Sequence, residues 1–236
     1  MANFEQYRAE VTIESPLILT VPGLGDSGPE HWQTIWERER EDCHRVDLGD
    51  WEKPHRNTWV NKLNLAIIRA ERPVVLVAHS LGCLTVAWWT KYEQPEAEGP
   101  VIGALLVAPP DVDFFPIDER LGKFAPTPEE PLPFPSILVA SRNDPYIGFR
   151  SARRLARAWG SWFADAGDAG HINAESEIGE WPFGKFLLGR LLRNQQGHRG
   201  IAHDDVAAAG EVSHFAHGRE ASPANPISRR FATDQN

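Results

Sequence analysis

Continuous apolar runs alternate with stretches of helical periodicity along most of the chain. Residues 17–21, 74–78, 101–108 and 137–140 are apolar almost without interruption and rich in Val, Ile, Leu and Ala. A strand covered on both faces needs apolar side chains at nearly every position. These runs therefore read as strands of a parallel sheet, not as half-exposed strands of an antiparallel one. Shorter runs at 43–46 and 162–164 read as further strands nearer the edges. Helical periodicity fills the intervals at 29–40, 58–69, 81–92, 149–159 and 179–192. Pro29 suits the first turn of its helix, and Thr58 the cap of the next. This alternation predicts an α/β fold, a doubly wound and mainly parallel sheet flanked by helices, with right-handed crossovers. Sites in such sheets lie beyond the carboxyl ends of the strands.

Two stretches break the pattern. Residues 109–135 are rich in Pro, Glu and Asp yet hold Phe114, Phe115, Leu121 and Phe124. They are too few and too broken for a large helical cap. A small flap over the site and a surface loop pinned by its aromatics both fit. From Asn194 onward, Ala, Gly, His and scattered charge replace large apolar residues, which predicts a disordered tail over 194–236. The expected organisation is an N-terminal extension at 1–15, one domain at 16–193, and that tail. His198, His203, His214 and His217 lie in the tail without compact ligand spacing, so no metal site is expected there.

Composition narrows the function classes. At 236 residues the chain fits one α/β domain plus a tail. A net charge of −9 and a pI near 5.5, with no Lys/Arg cluster, argue against a nucleic-acid partner. No apolar run approaches the roughly 18–20 residues that span a bilayer, so no membrane association is expected. The opening residues, Met1-Ala2-Asn3-Phe4-Glu5-Gln6, show no basic segment ahead of an apolar one, so no secretory signal is expected. Cys43 and Cys83 are the only cysteines and are not in C-x-x-C spacing. They read as reduced packing residues of a cytoplasmic protein.

The chemistry centres on Val74-Val75-Leu76-Val77-Ala78-His79-Ser80-Leu81-Gly82-Cys83. An apolar strand stops at a serine and a helix starts directly after it, the pattern of a nucleophile elbow. Gly82 supplies the small residue needed after the serine, while Ala78 stands where the motif has its first glycine. Taken alone, the pentapeptide is equally a strand-helix turn with a capping serine. A serine hydroxyl needs a nearby base, and that base needs a third group to fix its tautomer. Asp144 follows the run at 137–140, and His171 follows the run at 162–164 within Gly170-His171-Ile172-Asn173. The resulting order, Ser80, Asp144, His171, is that of doubly wound hydrolases. Asp111, after the run at 101–108, is the alternative acid. His79 reads as structural, since strand alternation points its ring away from Ser80.

An oxyanion hole needs two backbone N–H groups aimed at developing negative charge. Leu81, opening the helix after Ser80, and Leu24, beside Gly23 in the first-strand loop, are the expected donors. Gly23-Leu24-Gly25-Asp26-Ser27-Gly28 nearly spells G-x-G-x-x-G. Pro22 at the turn, Asp26 facing any phosphate and the lack of an acidic ribose partner speak against a dinucleotide site.

As an ordered set, these pieces resemble the small α/β-hydrolase family related to retinoblastoma-binding protein nine, in its bacterial branch. The resemblance rests on Val21-Pro22-Gly23-Leu24-Gly25 with His31-Trp32 and Trp36, on Val77–Cys83, and on Val107-Ala108-Pro109-Pro110-Asp111-Val112. It continues through Ala140-Ser141-Arg142-Asn143-Asp144-Pro145-Tyr146 and Gly170–Asn173 with Trp181-Pro182. It implies a compact hydrolase core with a triad on Ser80, Asp144 and His171, and no metal or organic cofactor. Most of the tryptophans read as packing, with His31, Trp32, Phe114 and Phe115 the candidates for lining a pocket. The expected function is a serine hydrolase acting on a small carboxylic ester, thioester or amide. The alternative is a hydrolase-fold scaffold whose role is partner recognition. The oligomeric state stays open.

Overall fold

The computed structural model describes residues 15–114 and 116–198, with side chains as far as residue 193. The described residues form a six-stranded parallel sheet between two helical layers. Its strands are β1 (Leu17–Val21), β2 (Cys43–Arg45), β3 (Val74–His79), β4 (Val101–Val107), β5 (Ser136–Ala140) and β6 (Trp162–Asp165). The helices are α1 (Trp32–Glu39), α2 (Arg56–Arg69), α3 (Leu81–Glu93), α4 (Phe149–Ala158) and α5 (Pro182–His198).

The continuous apolar runs become the inner strands, and every residue of β3 is buried. Alternation divides their side chains between the two faces. Leu19, Leu76, Ala78 and Leu106 pack with Trp59, Leu63 and Leu84 of α2 and α3. Ile18, Val75, Val77 and Leu105 pack on the other face with Trp32 and Trp36 of α1 and Leu188 and Leu191 of α5. Each fully buried Val or Leu side chain contributes about 1.5–3 kcal/mol. The edge strand β6 has no buried residue, in keeping with its short, weak apolar run.

The strand order β2-β1-β3-β4-β5-β6 reverses direction at β1, since β2 lies on one side of it and β3 on the other. Val21 and Ala78, the last paired positions of β1 and β3, are in register. The loops leaving these two strands therefore emerge side by side at the switch point, where such sheets form their crevice.

Helix starts differ from expectation. Pro29 lies outside α1, which begins at Trp32 after His31 as N-cap, the His31 Nδ1 accepting from the Gln33 N–H at 3.2 Å. Thr58 lies inside α2, whose N-cap position is His55. Gly179 and Trp181 adopt positive φ of 56° and 49°, which keeps α5 from starting before Pro182. α5 runs on to His198, past Arg193 where the domain was expected to end. The remaining tail positions, with His203, His214 and His217, and the extension up to residue 14 lie outside the described residues.

Among its described residues, the irregular stretch at 109–135 holds one short 3-10 turn, Leu121–Phe124, and is anchored by it. Phe124 is fully buried edge-on against Trp59, and its carbonyl accepts from Trp88 Nε1 at 2.7 Å.

Candidate active site

β3 ends at His79 and α3 begins at Leu81, leaving Ser80 alone at the turn. Its backbone has φ 52° and ψ −124°, a strained conformation for a residue with a Cβ. Two hydrogen bonds hold it: Ser80 N–H donates to the Val107 carbonyl, and Cys83 N–H donates to the Ser80 carbonyl, both at 2.9 Å. The turn needs small neighbours. A Cβ on Gly23 would come within 2.8 Å of the Ser80 Cβ, so only glycine lets the β1 loop approach this closely. Cys83, just beyond, is shielded from solvent. It is fully buried against the Ala78 and Val107 carbonyls, and burial pushes its thiol pKa up.

Asp144 and His171 arrive from the loops after β5 and β6 and meet Ser80. His171 Nδ1 lies 3.0 Å and 3.1 Å from the two Asp144 carboxylate oxygens, and His171 Nε2 lies 2.9 Å from Ser80 Oγ. A carboxylate only accepts, so the proton sits on Nδ1 and Nε2 is free to accept from the serine hydroxyl. The Tyr146 N–H donates to Asp144 Oδ1 at 2.9 Å, so the carboxylate is held from both sides. The Asp144 side chain has no solvent exposure and that of His171 is 9% exposed, which strengthens their hydrogen bond.

Asp111 is elsewhere. Its Oδ1 accepts from the N–H groups of Asp113 and Phe114, closing its own turn. That turn sends Phe114 outward. Phe114 was expected at the pocket but is 73% exposed and borders a separate surface depression. Phe115 is not among the described residues. Trp32 is also not on the pocket wall. It is buried beneath the site, with its Nε1–H donating to the Ile172 carbonyl at 2.8 Å.

The site opens into a cleft of about 340 Å³ bordered by Leu24, His31, His79, Ser80, Tyr146 and His171. From the stretch at 109–135, Asp118, Arg120 and Leu121 reach its rim, so this segment serves as both a pinned loop and a short wall. Arg120 is committed there, forked onto Asp118 and bonded to Glu52. On the β1 side, Gly23 stands 3.2 Å, measured from its ideal Cβ, from the Leu81 nitrogen. This sets the loop that carries Leu24 beside the Leu81 nitrogen. Arg45 of β2 ties that loop down through Asp26 at 3.0 Å and Glu37 at 2.9 Å.

Several contributors carry no short-range sequence signal. The Tyr146 ring lies 4.2 Å from that of His171. Asn143 Oδ1 and Ser141 Oγ accept from the N–H groups of Gly170 and Ala169 at 2.7 and 2.9 Å, lacing the two loops together. His31 and His79 are buried next to this cleft, their rings 4.7 Å apart, and the His79 ring lies 5.0 Å from that of His171. Burial, reinforced by the charge of Arg45, lowers the His31 pKa from 6.5 to about 3, and burial also holds His79 well below its usual value. Both are neutral at pH 7. Among the described residues, no group of three or more His, Cys, Asp or Glu side chains is placed to hold a metal ion. No described helix is long and apolar enough to cross a membrane.

Comparison with known proteins agrees with this geometry at the level of family and fold. A family model described as serine hydrolase matches residues 18–190. A YdeN-like hydrolase from Pectobacterium atrosepticum is 35% identical, with 77% of this chain and 92% of that chain covered and a TM-score of 0.67. Two more distant structures share the fold. The ydeN gene product from B. subtilis is 17% identical, with 75% and 99% covered and a TM-score of 0.61. The α/β hydrolase domain-containing protein 10 from mouse is 14% identical, with 79% and 92% covered and a TM-score of 0.55. No curated protein matches the chain significantly in sequence. The six-stranded parallel sheet and its flanking helices have the α/β-hydrolase fold, and the chain belongs to the serine hydrolase family.

Proposed function

We propose that this hydrolase cleaves a small carboxylic ester, thioester or amide through an acyl-enzyme on Ser80. The observation that carries the reading is the unbroken hydrogen-bonded chain from Ser80 Oγ through the His171 ring to Asp144. In this reading His171 Nε2 takes the Ser80 proton as Oγ attacks the substrate carbonyl carbon. Asp144 keeps the other proton on Nδ1 and stabilises the imidazolium that forms. The N–H groups of Leu24 and Leu81 receive the developing oxyanion. Collapse expels the leaving group with the proton held by His171. Water, activated by the same imidazole, then releases the acid and restores Ser80.

The cleft supports small substrates. Its wall carries Asp26, Glu52, Asp118, Glu175 and Arg120, leaving little apolar surface for a long acyl chain. The ordered motifs support a place near the retinoblastoma-binding protein nine branch of the family. The acidic, cysteine-poor composition supports a cytoplasmic location. Hydrolysis of p-nitrophenyl acetate by the native chain and by Ser80→Ala tests the reading. The variant is expected to lose about 10³-fold or more in kcat. Equal turnover by the two would overturn the assignment.

A further inference from the structure

His79 shares the β3 face of Val75 and Val77, so its ring points away from the Ser80 side chain and toward α1 and the loop that carries His171. Its Nε2 lies 2.9 Å from the His171 carbonyl oxygen. A carbonyl only accepts, so the proton sits on Nε2 and the contact fixes the tautomer. The next carbonyl along, that of Ile172, accepts from Trp32 Nε1 at 2.8 Å. Two consecutive carbonyls are thus gripped by two ring N–H donors from distant parts of the chain. All three side chains are buried: His79 is 5% exposed, Trp32 1% and Ile172 0%.

The loop needs such a grip. It contains Gly167 and Gly170 at positive φ, and Ile172, which has a Cβ, at φ 51°. Left to itself, that backbone has many conformations in which His171 Nε2 does not face Ser80. We propose that His79, with Trp32 beside it, is a positioning residue that holds the His171 backbone in the register where its ring reaches both Asp144 and Ser80. The inference rests on the Ser80 hydrolase reading. His79 touches the base through this backbone hydrogen bond and through its ring, 5.0 Å from the His171 ring at an interplanar angle of 59°, so its contribution passes through His171. His31, edge-on to the His79 ring at an interplanar angle of 65°, braces that ring.

The test uses the whole protein and two substitutions. His79→Phe keeps a ring without the donor, while His79→Gln places an amide N–H close to the lost Nε2. We expect His79→Phe to lower kcat for p-nitrophenyl acetate by about 10²-fold with KM within about twofold, the scale of a small misplacement of a reacting group. His79→Gln should recover most of that loss. In a His171→Ala background, adding His79→Phe should change nothing further. In the native protein, 15N imidazole shifts should place the His79 proton on Nε2, a readout that does not depend on any variant folding. Wild-type kcat in folded His79→Phe, an equal loss in the His171→Ala background, no recovery by Gln, or a proton on Nδ1 would each overturn the proposal. Ser80→Ala separates the two levels. If it stays active, the underlying reading fails and takes this inference with it. If it is inactive while His79→Phe is unimpaired, only the positioning role fails.

Discussion

A Cβ on Gly82 would stand 2.1 Å from the Val21 carbonyl oxygen and 2.7 Å from that of Pro22. The first turn of α3 is thus pressed against the end of β1, and this contact seats the Leu24 loop beside Ser80. The neighbouring atoms are backbone and cannot swing aside. Gly82→Ala should therefore cost about 1–3 kcal/mol or more through overpacking and lower Tm by several degrees. It should also lower kcat, because the displaced segment carries the Leu24 N–H. Thermal unfolding and ester hydrolysis check both effects. An unchanged Tm would show that the contact is softer than it looks.

Asp144 and Asp111 are separated by one measurement. Asp144→Asn keeps the shape but removes the charge that selects the His171 tautomer, and should cost about 10²–10⁴ in kcat with the fold intact. Asp111→Asn leaves an Asx acceptor for the turn before Phe114 and should be nearly silent in kcat. The opposite ranking would mean that the acid works from the β4 loop.

Much of this was legible in the chain because parallel strands buried on both faces leave a local signature. The runs at 17–21, 74–78, 101–108 and 137–140 match β1, β3, β4 and β5 within a residue at each end. The order of Ser80, Asp144 and His171 was equally visible, since Ser80 directly follows β3 and the other two lie in the loops after β5 and β6. Helix starts were less so, because the capping side chain of His31 and the positive φ of Gly179 set them, and neither shows in the periodicity. Phe114 was misplaced because the Asp111 turn that throws it outward depends on where one carboxylate points. Tyr146, and the hydrogen bond from His79 to His171 across 91 intervening residues (positions 79 and 171), depend on how distant loops pack. No local pattern encodes that.

Acid should destabilise the fold through its buried histidines. Folded His31 stays neutral down to about 3, whereas an unfolded imidazole takes up a proton below 6.5. The unfolded state then holds more protons, so stability is full above about 6.5 and falls as pH drops toward 3. The slope is at most about 1.4 kcal/mol per pH unit for each such histidine. His31→Asn keeps a helix-capping side chain and should reduce the difference in unfolding free energy between pH 7 and pH 5. Urea unfolding at the two pH values checks this, and an unaltered difference would reject the role of His31.

The charged rim of the cleft should limit acyl length. A chain buried in an apolar slot gains about 0.8 kcal/mol per methylene, and this wall offers few such contacts. kcat/KM on p-nitrophenyl esters should peak between acetate and hexanoate and then flatten or fall. A steady rise through dodecanoate would contradict the open-cleft reading.

The most direct test of the covalent mechanism is the mass of the protein after reaction with a fluorophosphonate, followed by peptide mapping of the adduct. The expected result is one adduct per chain, on Ser80, absent from folded Ser80→Ala and strongly slowed in folded His171→Ala. An adduct on another residue, or undiminished labelling of Ser80→Ala, would contradict the assignment of Ser80 as the nucleophile.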